Sequence, residues 1–194
     1  LRVRESERAY GVPGYAVEGT PADAAVFGLK ALGKDRPFDL VISGINKGEN
    51  VGDAVPVSGT VGAARQSALL GVRAIAVSQA HRRDGAYDFR AAARYTAQLA
   101  RITHAMGARA PMLVSVNVPH GKPKGVKLVP AGGSAFTVQG FRRTGLAPDG
   151  AAVYAAEMAE APPAPPGTDT RALRDGYIAV TILSLDPNVR SPRL

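Results

Sequence analysis

The chain has 194 residues, enough for one ordinary domain with its own hydrophobic core. Cysteine is absent, which excludes disulfide frameworks, cysteine–zinc sites and thiol nucleophiles and fits a cytoplasmic protein. The net charge of +8 favours partners that carry phosphate, but the basic residues are scattered, so nucleic-acid binding gains little support. No apolar run of about 18 or more residues occurs, so the sequence predicts no transmembrane helix and no membrane partner.

The first predicted elements are a strand, a helix and a second strand. Residues 15–18 form the first strand. Thr20 can cap the helix that follows, Pro21 suits its first position, and Gly33 is expected to end it. Residues 38–43 form a short, mostly apolar run that suits a buried parallel strand.

The next elements continue this alternation. Helical spacing predicts a helix over residues 60–70, and an apolar run predicts a strand over 74–78. Asp88 is expected to cap a third helix that ends at Gly107, and residues 112–118 form another core strand. The order strand–helix–strand–helix–strand predicts an α/β fold with a parallel sheet covered by helices.

The pattern changes after Pro119 and divides the chain into three parts. Residues 1–119 form the α/β core. Residues 120–166 carry turn signals and short alternating segments, and end in a proline-rich connector, so they are expected to form an extended hairpin excursion. Residues 167–194 return to the core with a strand over 176–183 and end in a tail.

The glycine-rich loop over residues 44–59 is the candidate site. It leaves the carboxyl end of a predicted parallel strand, where ligands bind in open α/β sheets. Free N–H groups at the helix start near Thr60 favour an anion such as phosphate, and Ser58 adds a hydroxyl donor. Asn46 and Asn50 offer amide oxygens to a hard cation, or amide donors to a phosphate or ribose. Phosphate or nucleotide binding and a plain structural turn both remain open at this point.

The loop is part of a longer match. The string SGINKGENVGD, followed by SGTVGAA, resembles the signature of the SurE (survival protein E) family of 5'/3'-nucleotidases. Three further stretches resemble the family in the same order: EGTPADAAVFGLKAL, LVSVNVP and GTDTRALRDGYIAVTIL. The resemblance covers roughly residues 15–183.

The resemblance implies a Rossmann-like three-layer α/β/α fold with a protruding β-hairpin and a C-terminal arm, which commonly mediate homodimers and homotetramers. It also implies hydrolysis of nucleoside monophosphates with a divalent cation, Mg or Mn. In the family the metal is held by two consecutive Asp residues after the first strand, by a Ser in a later loop, and by the Asn of the SGIN motif. That Asn corresponds to Asn46.

The sequence departs from the family at the metal site. It lacks the Asn-Asp-Asp-Gly motif and the Ser loop, so we expect the N-terminal part of the fold to be missing and residue 1 to follow both. A lone amide at Asn46 cannot hold Mg tightly, because Mg favours carboxylates and octahedral oxygen geometry. Glu49 and Asp53 are not the family's ligands, and Asp53 is expected to brace the loop.

The resemblance also implies roles for the residues around the start of the second helix. Ser58, Gly59 and Thr60 would stabilise charge on the transferring phosphoryl group, and Asn50, Ser58 and Thr60 would contact the substrate. Simpler roles stay open: Ser58 and Thr60 as helix caps, and Asn50 as a turn residue. Asp169 lies in a matched stretch and either approaches the site or caps a loop.

Three functions compete. The first is a metal-dependent nucleotidase that is active when the missing N-terminal part is present. The second is a catalytically inactive remnant that binds phosphate or nucleotide, or serves only in assembly. The third is a basic nucleic-acid-binding module, which the scattered charges support least. The three histidines lie outside the matched motifs and are read as surface or structural residues: His81, His104 and His120.

Overall fold

The computed structural model describes residues 1–9, 11–81, 85, 87–107 and 111–186. The predicted tail beyond residue 186, where a C-terminal arm was expected, lies outside the described residues. The strands are Arg2–Ala9 (β1), Val12–Glu18 (β2), Leu40–Lys47 (β3), Arg73–Gln79 (β4), Leu113–Val118 (β5), Val126–Leu128 (β6), Phe136–Leu146 (β7), Ala152–Glu160 (β8) and Ile178–Leu183 (β9). The α-helices are Pro21–Phe27 (α1), Gly59–Leu69 (α2), Arg90–Ala105 (α3) and Asp169–Arg174 (α4).

The central sheet has five strands in the order β3-β4-β5-β9-β6. β3, β4 and β5 run parallel, as the alternating pattern predicted. β9 then pairs antiparallel with β5, and β6 pairs parallel with β9. With helices on its faces, this mixed sheet confirms the predicted α/β class and the Rossmann-like three-layer arrangement.

β4 shows how the two helical layers share the sheet. All seven of its residues are buried. Ile75 packs in a cluster with Ala92 of α3, whereas Ala74 and Ala76 pack in a second cluster with Ala64 of α2. Side chains alternate between the faces of a strand, so a strand covered on both faces has a continuous apolar sequence. This burial explains why the run over 74–78 could be read from the sequence.

The start of α1 agrees with the prediction. Thr20 is the N-cap, and its hydroxyl oxygen accepts from the backbone N–H of Asp23 at 3.2 Å. The Asp23 carboxylate accepts in turn from the Thr20 hydroxyl and backbone N–H, and these bonds lower the pKa of Asp23. A short π-helical segment, Gly28–Leu32, extends the helix, and Gly33 ends it. The capping residues in the sequence therefore predicted both ends of this helical segment correctly.

The start of α3 corrects a prediction. Phe89 holds the N-cap position and has no capping side chain, so Asp88 is not the cap. Asp88 instead accepts from the Arg90 backbone N–H at 3.0 Å and from its guanidinium, with Nε at 2.9 Å. These bonds from Arg90 lower the pKa of Asp88 to about 2.

Among the described residues, no helix has the length and apolarity needed to cross a membrane.

Two antiparallel hairpins stand apart from the central sheet. β1 and β2 form one, most of which the sequence did not reveal, and β7 and β8 form the other. The β7–β8 hairpin corresponds to the protruding hairpin that the family resemblance implies. β6 also lies inside the segment 120–166, yet it pairs with β9 in the central sheet. Several apolar side chains of the β7–β8 hairpin are exposed: Val138, Phe141, Leu146, Val153 and Tyr154.

Candidate functional site

The loop between β3 and α2 lies at the carboxyl edge of the parallel strands. Asn46 pairs in register with Ser78 near the end of β4, and Gly48 N–H donates to the carbonyl of Gln79 at 2.9 Å. A 3₁₀ turn over Gly52–Ala54 then leads towards α2. The loop therefore occupies the edge at which open α/β sheets bind ligands.

Asn46 has a side-chain acceptor, Oδ1, at this edge that no group of the described residues occupies. Its amide nitrogen donates to the carbonyl oxygens of Gly48 at 2.9 Å and Lys47 at 3.3 Å. These bonds turn the Nδ2 side of the amide towards the loop. The other side, Oδ1, accepts no hydrogen bond from the part of the chain that the structure describes. An amide oxygen oriented in this way can serve as a ligand to a hard cation. The role of Asn46 as a metal ligand stays a prediction.

Asn50 holds the loop against the sheet. Its exposed fraction is 8%, and its backbone N–H donates to Asn117 Oδ1 at 2.7 Å. Its side-chain amide donates to Ser78 Oγ at 2.7 Å, while Asn117 Nδ2 donates back to the Asn50 carbonyl at 3.1 Å. These contacts fit the simpler, structural role for Asn50 within the loop. Contact between Asn50 and a substrate stays a prediction.

The start of α2 carries the other predicted site residues. Ser58 is the N-cap, and its Oγ accepts from the Val61 backbone N–H at 3.1 Å. Its hydroxyl proton can still be donated to a ligand. Gly59 and Thr60 hold the first two helical positions, where backbone N–H groups have no partner within a helix. The capping role of Ser58 is thus observed, and its geometry is also compatible with binding an anion.

Asp169 connects the loop to the segment that leads into the β7–β8 hairpin. It is completely buried at the start of α4. Its carboxylate accepts from the backbone N–H of Gly52 at 3.1 and 3.2 Å, of Gly132 at 2.9 Å and of Thr170 at 2.7 Å. The Asp53 N–H adds a bond to the Gly133 carbonyl at 3.0 Å. Asp169 therefore braces two loops, which fits the loop-capping role.

A cavity of about 760 Å³ lies between the end of β3 and the root of the β7–β8 hairpin. Its lining includes Asn46, Glu49, His81 and Tyr87 on one side, and Phe136 and Met158 on the hairpin side. Of the predicted site residues, only Asn46 lines it; Asn50, Ser58, Gly59 and Thr60 do not. The start of α2, where Ser58, Gly59 and Thr60 lie, is therefore not part of the wall of this cavity.

Six of the cavity residues could not be predicted from the sequence: His81, Tyr87, Ala135, Phe136, Met158 and Ala159. His81 was read as a surface or structural residue. Its backbone N–H donates to Glu49 Oε2 at 2.8 Å, and its ring Nδ1 lies 3.0 Å from the Tyr87 hydroxyl. No local motif marks such residues, because they meet only through the pairing of distant segments.

The described residues do not form a metal site on their own. They contain no group of three or more His, Asp or Glu side chains placed to hold an ion. Glu49, the carboxylate in the cavity wall, already accepts from the His81 backbone N–H. Mg favours several oxygen ligands in octahedral geometry, so Asn46 alone is not sufficient to bind it.

The cap of α2 gives a direct test of local stability. We expect Ser58→Ala to lower the free energy of unfolding by about 1 kcal/mol, because the Val61 N–H loses its acceptor. Ser58→Thr keeps a capping hydroxyl and should retain most of the stability. Urea unfolding followed by circular dichroism measures both. Equal midpoints for Ser58→Ala and the wild type would contradict the capping role.

Comparison with known proteins agrees with this architecture. The family model "Survival protein SurE" matches residues 1–145. "5'-nucleotidase SurE 1" of Thermus thermophilus is 40% identical over 188 residues, covering 96% of this chain and 72% of the relative. "5'-nucleotidase SurE" of Pelotomaculum thermopropionicum is 40% identical over 177 residues, covering 89% of this chain and 65% of the relative.

A solved structure gives the same result for the fold. The crystal structure of the SurE protein from Aquifex aeolicus superposes with a TM-score of 0.77 at 28% identity. The match covers 97% of this chain and 76% of that protein. The motifs, the sheet topology and these relatives agree, and the chain belongs to the SurE family.

Proposed function

We propose that the protein is a 5'/3'-nucleotidase that hydrolyses nucleoside monophosphates to nucleoside and phosphate. The observation that carries this proposal is the side-chain amide oxygen of Asn46, which accepts no hydrogen bond from the described part of the chain, on a residue that lines a large cavity at the carboxyl edge of the sheet. The family supports it, because curated relatives are named 5'-nucleotidases.

The start of α2 supplies the groups that would bind the phosphate. The N–H groups of Gly59 and Thr60 and the Ser58 hydroxyl would donate to phosphoryl oxygens. Negative charge spreads over these oxygens as water attacks phosphorus and the ester P–O bond breaks. Fixed donors therefore stabilise the transition state. The leaving nucleoside oxygen takes a proton, so one water and one ester give one alcohol and one phosphate.

A divalent cation, Mg or Mn, is part of the proposal through the family resemblance. Bound metal would polarise a phosphoryl oxygen and orient water. Asn46 is the ligand that this chain would contribute. The described residues do not complete the coordination shell, so the other oxygen ligands would have to lie outside them.

We further propose a cytoplasmic homodimer or homotetramer. The absence of cysteine is compatible with a reducing compartment. The β7–β8 hairpin supports assembly, because it presents large apolar side chains to solvent, with Phe141 68% exposed and Leu146 63% exposed. Exposed apolar surface of this kind commonly marks a protein interface.

One observation favours a second candidate, a catalytically inactive protein that binds phosphate or nucleotide, or only assembles. The described part of the chain lacks a cluster of acidic or histidine side chains for the metal. Such a protein could keep the anion-binding start of α2 and the cavity without turning substrate over.

The test is phosphate release from a panel of nucleoside monophosphates, with and without Mn or Mg. We expect metal-dependent release, and a loss of at least about tenfold in kcat/KM for Asn46→Ala, because a ligand oxygen is removed. Lys34→Ala, an exposed residue after α1, is the control and should match the wild type. Binding of nucleotide without any turnover would select the second candidate, and absence of both binding and turnover would leave only assembly as its function.

A further inference from the structure

We propose that the cavity beside Asn46 binds the planar base of the substrate. We propose further that Phe136 and Met158 make the enzyme prefer phosphomonoesters that carry such a base. This inference rests on the proposed function and extends it from phosphate chemistry to the leaving group. A volume of about 760 Å³ lies within the range of small-molecule sites and is large enough for a nucleoside.

The hairpin side of the cavity offers an apolar wall. Val138 pairs with Met158 across the hairpin, and Phe136 lies two residues before Val138 on β7. Side chains two apart on a strand share a face, so Phe136 and Met158 are diagonal neighbours on one face of the hairpin. Phe136 is 44% exposed and Met158 is 50% exposed, although both are apolar. An aromatic ring beside a thioether is a surface on which a flat base can stack.

The opposite side of the cavity offers polar groups with fixed positions. The Tyr87 ring stacks on Phe89 with centroids 5.7 Å apart and an interplanar angle of 14°. Its hydroxyl lies 3.0 Å from His81 Nδ1, which fixes the imidazole and leaves Nε2 for a ligand. Glu49 accepts from the His81 backbone through Oε2, and Oε1 can accept from a ribose hydroxyl. A base stacked on the hairpin would thus face hydrogen-bonding partners.

Hydrogen bonds join the β3–α2 loop to the segment that leads into the hairpin. Asp169 binds Gly52 in the β3–α2 loop and Gly132 just before the hairpin. The Asp53 N–H donates to the carbonyl of Gly133, and an added side-chain carbon on Gly52 would overlap that same oxygen. These close contacts fix the root of the hairpin against the site loop. The cavity is therefore held at a defined width.

This arrangement predicts a preference among phosphomonoesters. A nucleoside monophosphate can stack its base on Phe136 and Met158. Ribose 5-phosphate has the same phosphate and sugar but nothing to stack, so it gains nothing from this wall. The preference should therefore depend on the hairpin residues and not on the phosphate-binding groups of α2.

The test compares Phe136→Ala and Met158→Ala with Arg143→Ala, an exposed hairpin residue that does not line the cavity. Two readouts are used: kcat/KM on adenosine monophosphate and ribose 5-phosphate, and adenosine binding by saturation-transfer NMR. We expect Phe136→Ala to weaken adenosine binding and lower kcat/KM for the nucleotide by about tenfold, the range for losing one base–aromatic stack. Ribose 5-phosphate should change less than about twofold, and Phe136→Tyr should restore nucleotide activity.

The outcomes separate the inference from the proposed function. Adenosine binding that depends on Phe136, without turnover, would support the base site and reject the nucleotidase. Turnover of both substrates at equal efficiency, without adenosine binding, would support the phosphatase chemistry and overturn the base site. An equal loss on both substrates in Phe136→Ala would show a structural role and would also overturn it.

Discussion

Asp169→Ala is expected to lower the free energy of unfolding by roughly 3–5 kcal/mol, one of the largest losses in this chain. The carboxylate is completely buried and accepts from the backbone N–H groups of Gly52, Gly132 and Thr170. Removing it leaves these buried donors without a charged acceptor, and each unsatisfied group costs about 1–3 kcal/mol. Urea unfolding followed by circular dichroism measures the loss.

Two variants show whether the cost comes from the brace. Asp169→Asn keeps one carbonyl oxygen but turns an amide towards a donor, so an intermediate loss is expected. Asp175→Ala removes a carboxylate from the end of the same segment, where Asp175 pairs with Arg171 at 3.0 Å and stays partly exposed. Exposed pairs contribute about 0–1 kcal/mol, so this control should change little. A loss at Asp169→Ala no larger than at Asp175→Ala would refute the bracing role.

The same brace links stability to the proposed activity. Asp169 does not line the cavity, and neither do its partners Gly52 and Gly132, but it joins the β3–α2 loop to the segment that leads into the hairpin. Asp169→Asn should therefore raise KM for nucleotides more than it lowers kcat, because the width of the cavity changes while the donors at the start of α2 stay in place. An unchanged ratio of activity on nucleotide and ribose 5-phosphate would argue against this link.

Elements defined by local signals could be predicted from the sequence. Thr20 and Gly33 bound the first helix because capping and helix ending depend on nearby residues. The strand over 74–78 stands out because both of its faces are buried. The exact position of a cap is harder to predict. Asp88 was the expected cap of α3 and its carboxylate accepts from Arg90, but the N-cap position is occupied by Phe89.

Features that depend on distant residues could not be predicted. Asp169 and Gly52 are 117 residues apart in the sequence, and nothing local indicates that they meet. The motif located Asn46 at the site, but the other wall of its cavity comes from Phe136 and Met158, on strands of a hairpin with little internal pattern.

Gly52→Ala is expected to be the other severe substitution, with a loss of about 4 kcal/mol or more. Gly52 has φ +51°, and an added side-chain carbon would overlap the carbonyl oxygen of Gly133. That oxygen is itself held by the Asp53 N–H at 3.0 Å, so the backbone cannot move away without breaking a bond. Thermal and urea unfolding measure the effect.

Gly107→Ala separates this steric clash from ordinary backbone strain. Gly107 has φ +67°, close to the value at Gly52, but an added carbon there would meet nothing within 4 Å. Its loss should be about 1–2 kcal/mol, the cost of a left-handed conformation alone. If the two alanine variants were equally destabilised, backbone strain would explain both losses and the close approach of Gly52 to Gly133 would not contribute.

The double variant Gly52→Ala/Asp169→Ala should lose less free energy of unfolding than the two single losses added together, because both substitutions break the same loop-to-hairpin contact.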